Sequence, residues 1–101
     1  MTTAERQSYF DGNRLVGWVR FAGFDETRAE GQLLIDGCDD DVAELDLGGL
    51  TDVNSLAASA MVSWYRHAFH QGKVVRFSNV PPDLRKIIAV SGLVELLFGD
   101  E

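Results

Sequence analysis

The stretch that decides the fold is ELDLGGLTDVNSLAASAMVSWYRHAFHQG, residues Glu44–Gly72. It opens within a short apolar segment of the length and composition of a buried strand, which we place at Val42–Leu47. Two glycines follow, Gly48-Gly49, and because glycine interrupts regular structure we expect the strand to end there. The next element then begins beyond this turn.

A helix follows the turn. Asn54 and Ser55 are residue types that begin helices, and Gln71-Gly72 marks the expected end. The segment Val74–Phe77 is apolar and typical of a second strand. A strand, a helix and a strand in this order predict a βαβ unit, in which the two strands are parallel and the crossover is right-handed.

The residues before this unit predict a hairpin and a helix. Two short strands are expected between Ser8 and Phe21, joined by Asp11-Gly12-Asn13, whose residue types tolerate positive φ. Asp25 is predicted to cap a helix over Glu26–Asp36. Residues 1–7 are polar, and we predict that they are disordered.

The residues after the unit predict two more helices. Proline suits a first helical turn, which favours a helix over Pro82–Val90, broken by Ser91-Gly92. Leu93–Phe98 then forms a last short helix or turn. The whole chain, residues 1–101, therefore predicts one α/β domain, with a mixed sheet of about four strands and about four helices packed mainly on one face.

Charge and composition argue against several classes of function. The net charge of −7 argues against a nucleic-acid-binding protein and against docking on an anionic membrane surface, since both need basic residues. No apolar run is long enough for a membrane span, and we see no signal peptide. The single cysteine, Cys38, cannot form an internal disulfide and fits a reducing compartment. We therefore expect a cytoplasmic domain without direct membrane insertion.

The start of the second helix is the candidate site. A helix start places several unpaired backbone N–H groups together, here beside the hydroxyl of Ser55. Such a place suits an incoming carboxylate or phosphate. The alternative is that Asn54 or Ser55 only caps the helix.

The helical periodicity of this segment separates its faces. Two adjacent apolar stripes are predicted, which together span roughly 200°, more than one contact with a sheet needs. The first contains Ala57, Ala60, Met61, Trp64 and Ala68, and the second Ala58, Val62, Tyr65 and Phe69. The opposite face carries Ser55, Ser59, Ser63, Arg66 and His70. Small polar residues let a partner's backbone approach closely, and an arginine can pair with a partner's carboxylate, so this face is a candidate docking surface.

The motifs predict no catalytic or metal site. Asp39, Asp40 and Asp41 lack the spacing of a calcium loop, which favours a solvated loop. His67 and His70 are three residues apart, but no third ligand lies in register. No phosphate loop, dinucleotide fingerprint or nucleophile elbow is present. We therefore expect no enzyme, no cofactor and no metal.

Two segments resemble a known family. The segment LDLGGLTDVNSLAASAM resembles the STAS-domain motif, in which a strand and a turn lead into a helix that starts at a serine. The segment VVRFSNVPPDLRKIIAVSGLVELL resembles the tail of the same family, and its RFSNVPP run and its SG-x-x-E-LL-like ending are most similar to the MlaB branch. Trp64-Tyr65-Arg66 also matches that branch. The resemblance covers about Leu15 to Leu97.

The resemblance implies a STAS fold and a role in protein interaction. MlaB-type proteins are the STAS subunit of a bacterial ABC transporter that moves phospholipid to maintain outer-membrane asymmetry. It implies a subunit that binds and regulates or stabilises the MlaF-like ATPase subunit, peripheral to the inner membrane through that partner. The implied contact residues are Thr51, Asp52, Asn54 and Ser55, joined by Ser59, Ser63 and Arg66 on the helix face.

Two alternatives stay open. Ser55 falls where anti-sigma-factor antagonists carry the serine that a kinase phosphorylates, so Ser55 is also a candidate phosphoacceptor and an anti-sigma factor kinase a candidate partner. Asn54 stands where that branch usually has aspartate, so the recognition signature is incomplete. The other alternative is a STAS module that senses a small ligand in a cleft at the helix start.

Overall fold

The computed structural model describes residues 7–99. The disorder predicted for residues 1–7 falls, except for Gln7, outside the described residues. The elements in chain order are β1 Ser8–Asp11, β2 Arg14–Gly17, α1 Phe24–Asp36, β3 Val42–Leu50, α2 Ser55–His70, β4 Val74–Ser78, α3 Pro82–Val90 and α4 Val94–Phe98.

The four strands form one mixed sheet in the order β1-β2-β3-β4. β1 and β2 are antiparallel, as the predicted hairpin requires, with Tyr9 opposite Val16. β3 pairs in parallel with both β2 and β4, and the βαβ unit is confirmed. The mixed α/β sheet predicted from the sequence is therefore the observed architecture.

Strand β3 runs three residues further than predicted, through both glycines to Leu50. Gly49 packs against the backbone of β2, where an added Cβ atom would lie 2.7 Å from the carbonyl oxygen of Leu15. The β2–β3 register shifts at this point, between Arg14 and Val16. Here glycine permits close strand packing instead of ending the strand, so the expected break at Gly48-Gly49 was wrong.

Asp46 of β3 is bonded to the residue after β4. Its Oδ1 accepts hydrogen bonds from the backbone N–H of Gly48 at 2.8 Å and from Nδ2 of Asn79 at 3.1 Å. The Gly48 N–H, with the Asn79 amide and the Arg14 charge adding to it, holds the pKa of the Asp46 carboxyl below its ordinary value. In its charged form the carboxylate thus links β3 to the carboxyl end of β4.

The core lies on one face of the sheet. Ala43, Leu45 and Leu47 of β3 are buried, while Glu44 between them is exposed. This alternation is the period of a strand with one covered face. The helices supply the cover, which confirms the expected packing on one side.

Helix α1 begins at Phe24, before the predicted cap. Gly23 is the N-cap, with a φ of 84° that favours glycine, and Asp25 lies inside the first turn without a capping bond. The prediction of Asp25 as the cap was wrong because the backbone, not a side chain, closes this end. A carboxylate in the first turn still interacts favourably with the helix dipole.

The contact between α1 and α2 is made by a buried tryptophan that packs against a glycine. Trp64 of α2 is fully buried, and its Nε1 donates to the carbonyl oxygen of Arg28 at 2.9 Å. An added Cβ atom at Gly31 would lie 2.3 Å from that same Nε1. The ring of Phe10 packs edge-on against the indole, with ring centroids 5.4 Å apart. Trp64 therefore connects α1, α2 and β1 in one cluster.

The far ends of the two helices are held by polar contacts. Nζ of Lys73 donates to the carbonyl oxygens of Ile35 at 2.7 Å and Cys38 at 2.6 Å. Nε2 of His67 lies 2.7 Å from Oδ1 of Asp36. Carbonyl groups at a helix end lack partners within the helix, so the ammonium group of Lys73 stabilises the end of α1.

The Gly31–Trp64 contact predicts the effect of a substitution that helix propensity alone would favour. Gly31→Ala should gain about 1 kcal/mol from helix propensity but lose about 3 kcal/mol from overpacking against the indole. We expect a net loss of about 2 kcal/mol in the free energy of unfolding, measured by urea denaturation. In the Trp64→Phe background the same substitution should cost less, because the indole nitrogen is gone. Equal costs in both backgrounds would show that the contact is not the cause.

Candidate functional site

Three loops meet at one end of the sheet. Residues 18–23 follow β2, residues 51–54 follow β3 and residues 79–81 follow β4, and these three strands are parallel. Their carboxyl ends therefore point the same way, so the three loops lie at the same end of the sheet. We call this end, with the first turn of α2, the docking end.

Asn54 connects two of these loops. It is the N-cap of α2, and its Oδ1 accepts a hydrogen bond from the N–H of Ala57 at 3.0 Å. Its Nδ2 donates to the carbonyl oxygen of Val19 at 2.9 Å. An aspartate could cap the helix equally well but has no N–H to donate at neutral pH. The asparagine thus fixes the β2–α1 loop beside the start of α2.

Ser55 is the first residue of α2 and is exposed. Within residues 7–99, no side chain or backbone group forms a hydrogen bond with its hydroxyl. The sequence left open whether Asn54 or Ser55 caps the helix, and the structure assigns the cap to Asn54. The Ser55 hydroxyl is consequently available to another molecule.

The exposed face of α2 agrees with its predicted periodicity. Ser59, Arg66 and His70 are exposed, while Ser63 is half-buried. The first predicted stripe is buried throughout: Ala57, Ala60, Met61, Trp64 and Ala68. The second stripe turns gradually outward, from buried Ala58 to exposed Phe69.

The Thr51 and Asp52 side chains are exposed and line a cleft of about 280 Å³. The N–H of Thr51 donates to the carbonyl oxygen of Gly17 at 2.8 Å, and Oδ1 of Asp52 accepts from the N–H of Val53 at 2.9 Å. The opposite wall of the cleft is Pro81–Asp83, at the start of α3. The structure thus brings Thr51, Asp52, Asn54 and Ser55 to one end of the molecule.

Sequence reasoning missed the aromatic loop at this end. β2 stops at Gly17, so Phe21, at the end of the region where strands are predicted, lies in the loop with its side chain 87% exposed. Trp18 is 37% exposed, and the guanidinium of Arg20 lies 4.6 Å from the centre of its ring. An aromatic side chain on a hydrogen-bonded loop is a common anchor in protein interfaces. The available signal was Gly23, because a glycine so soon after Phe21 is typical of a loop.

Helices within residues 7–99 fall short of the length and apolar character that crossing a membrane requires.

A family model described as "Mlab, STAS domain" matches residues 13–98 of the chain. The match contains every strand except β1 and all of the docking end. No curated protein matches the chain.

The bond from Asn54 to Val19 predicts the outcome of a nearly isosteric substitution. Asn54→Asp keeps a capping oxygen but places a carboxylate near the Val19 carbonyl oxygen, which loses its donor. We expect a loss of about 1–3 kcal/mol in the free energy of unfolding at pH 7, measured by urea denaturation. Asn54→Ser, which also keeps a cap but adds no charge, should cost less. A variant Asn54→Asp as stable as the original chain would contradict a stabilising role for this bond.

Proposed function

The chain belongs to the STAS domain family, and we propose that it is a non-catalytic subunit that binds the ATPase of a phospholipid-transporting ABC complex. In this proposal the docking end packs against the ATPase and regulates or stabilises it. The chain then lies on the cytoplasmic side of the inner membrane, peripheral to it through the partner.

The observation that carries this proposal is that the docking end exposes both the Ser55 hydroxyl and the ring of Phe21. The Asn54 side chain fixes the backbone segments that carry both residues, because it bonds the helix start and the loop at once. A surface that is fixed before binding loses little conformational entropy on association. This arrangement supports a docking surface better than it supports a catalytic site.

The choice of partner rests on the family description and on the sequence tail. The matching family carries the name Mlab, and the RFSNVPP run lies at the end of β4 and the loop after it. That loop forms one wall of the docking end. The residues that resemble the MlaB branch are thus in part surface residues, and packing of the core does not explain their identity.

The face of α2 extends the proposed contact. Ser59 and Ser63 are small, so a partner helix can approach the backbone of α2 closely, and Arg66 can bind a partner carboxylate with two parallel hydrogen bonds. All three lie on the same side of the helix as Ser55. The proposed surface therefore runs from the loops of the docking end along α2.

Substitutions at this surface should abolish binding without unfolding the domain. Ser55→Arg and Ser59→Arg should each prevent copurification with the ATPase, because a long charged side chain replaces a small one in the contact. Phe21→Ser should weaken binding by about tenfold or more, measured by calorimetry with the purified ATPase.

The matched control for the last variant is Val90→Ser. Val90 is 89% exposed at the end of α3, against 87% for Phe21, so both variants remove an equally exposed apolar side chain. We expect Val90→Ser to bind as the original chain does. Unchanged copurification of both arginine variants would refute the assigned surface.

An anti-sigma-factor antagonist is the second candidate, favoured by the free hydroxyl of Ser55 at a helix start. A phosphate at this position would lie near the unpaired N–H groups of the first turn, where negative charge is stabilised. Incubation with a cognate anti-sigma kinase and ATP, followed by intact mass measurement, should then add one phosphate to the chain and none to Ser55→Ala. No added mass on the original chain excludes this candidate.

A further inference from the structure

We propose that the cleft between Asp52 and Asp83 receives an arginine or lysine side chain of the partner. This inference rests on the proposed function and specifies the chemistry of its contact. The two carboxylates form part of opposite walls, Asp52 in the loop before α2 and Asp83 in the first turn of α3.

The cleft combines apolar walls with negative charge. Leu50, Val53 and Pro81-Pro82 contribute apolar surface, and both carboxylates are on exposed residues. A long basic side chain matches this pattern, since its aliphatic stem packs on apolar surface while its charged head seeks a carboxylate. The pairing of Asp83 with Lys86 leaves this carboxylate available, because the atoms are 3.9 Å apart and both side chains are about four-fifths exposed.

Anions fit the same cleft poorly, although two helices begin there. The N–H of Thr51 is bonded to the carbonyl oxygen of Gly17, and the N–H of Val53 is bonded to the Asp52 carboxylate. The other wall starts with Pro81-Pro82, which have no N–H to offer. The two negative charges of Asp52 and Asp83 also repel an anion.

The cleft, with a volume of about 280 Å³, has room for one long side chain. The proposed occupant is therefore a basic residue that protrudes from the docked partner.

The test removes the charge of both carboxylates and compares the effect on binding with that of removing two carboxylate charges elsewhere. Asp52→Asn/Asp83→Asn should weaken binding of the ATPase by at least about tenfold and reduce the dependence of binding on salt concentration. The control, Asp39→Asn/Asp40→Asn, changes the net charge by the same amount in an exposed loop before β3, at the other end of the sheet. It should bind within about twofold of the original chain.

A probe without the partner separates this inference from the proposed function. N-acetyl-argininamide titrated into the chain should shift the backbone amide NMR signals of residues 50–53 and 83 in a saturable way, and the double variant should lose these shifts. Failure of the original chain to bind any ATPase would refute the proposed function, while the titration would still test the cleft. The inference would be overturned if Asp52→Asn/Asp83→Asn bound the partner as tightly as the control does. It would also be overturned if argininamide shifted the signals of residues 39–41 as much as those of the cleft.

Discussion

The indole of Trp64 rests on the bare backbone of Gly31, and the relative position of the two long helices follows from this contact. No other residue type at position 31 allows the ring to come so close, and the bond from the indole nitrogen to the Arg28 carbonyl sets its orientation. Because α2 is fixed against α1 in this way, its opposite side is fixed towards solvent. The face that carries Ser55 and Ser59 is thus exposed as a consequence of how the buried side packs.

The docking end depends on a second, smaller constraint. A single side-chain amide, that of Asn54, bonds both the start of α2 and the loop after β2. The loop carries Phe21, so the backbone that bears this residue is tied to the start of α2. An aspartate at position 54 would still cap the helix but, without an N–H group, would not bond the Val19 carbonyl oxygen. Exchanging the side-chain amide for a carboxylate would therefore leave the start of α2 capped but no longer bonded to the loop after β2.

Local patterns in the sequence were enough to predict the elements and the mixed sheet. The bounds of α3 and the buried stripe of α2 follow from proline chemistry and from helical periodicity, which act within a few residues. The Asp25 cap was a local error, whereas the other errors arose where residues distant in the sequence decide the structure. Gly49 lies in a strand because the backbone of Leu15 packs closely against it, although glycine by itself predicts a break. The exposure of Phe21 depends likewise on where β2 ends, and the cleft requires two segments that are far apart in the chain, the loop after β3 and the start of α3.

The two tryptophans of the described chain occupy contrasting surroundings. Trp64 is sealed in the core, whereas Trp18 lies partly exposed at the docking end under the guanidinium of Arg20. Their fluorescence should differ accordingly, with blue-shifted emission from the first and emission sensitive to dissolved quenchers from the second. Replacing either one by phenylalanine would leave a chain with a single intrinsic reporter, so that loss of the folded core and arrival of a bound protein can be followed as separate optical signals.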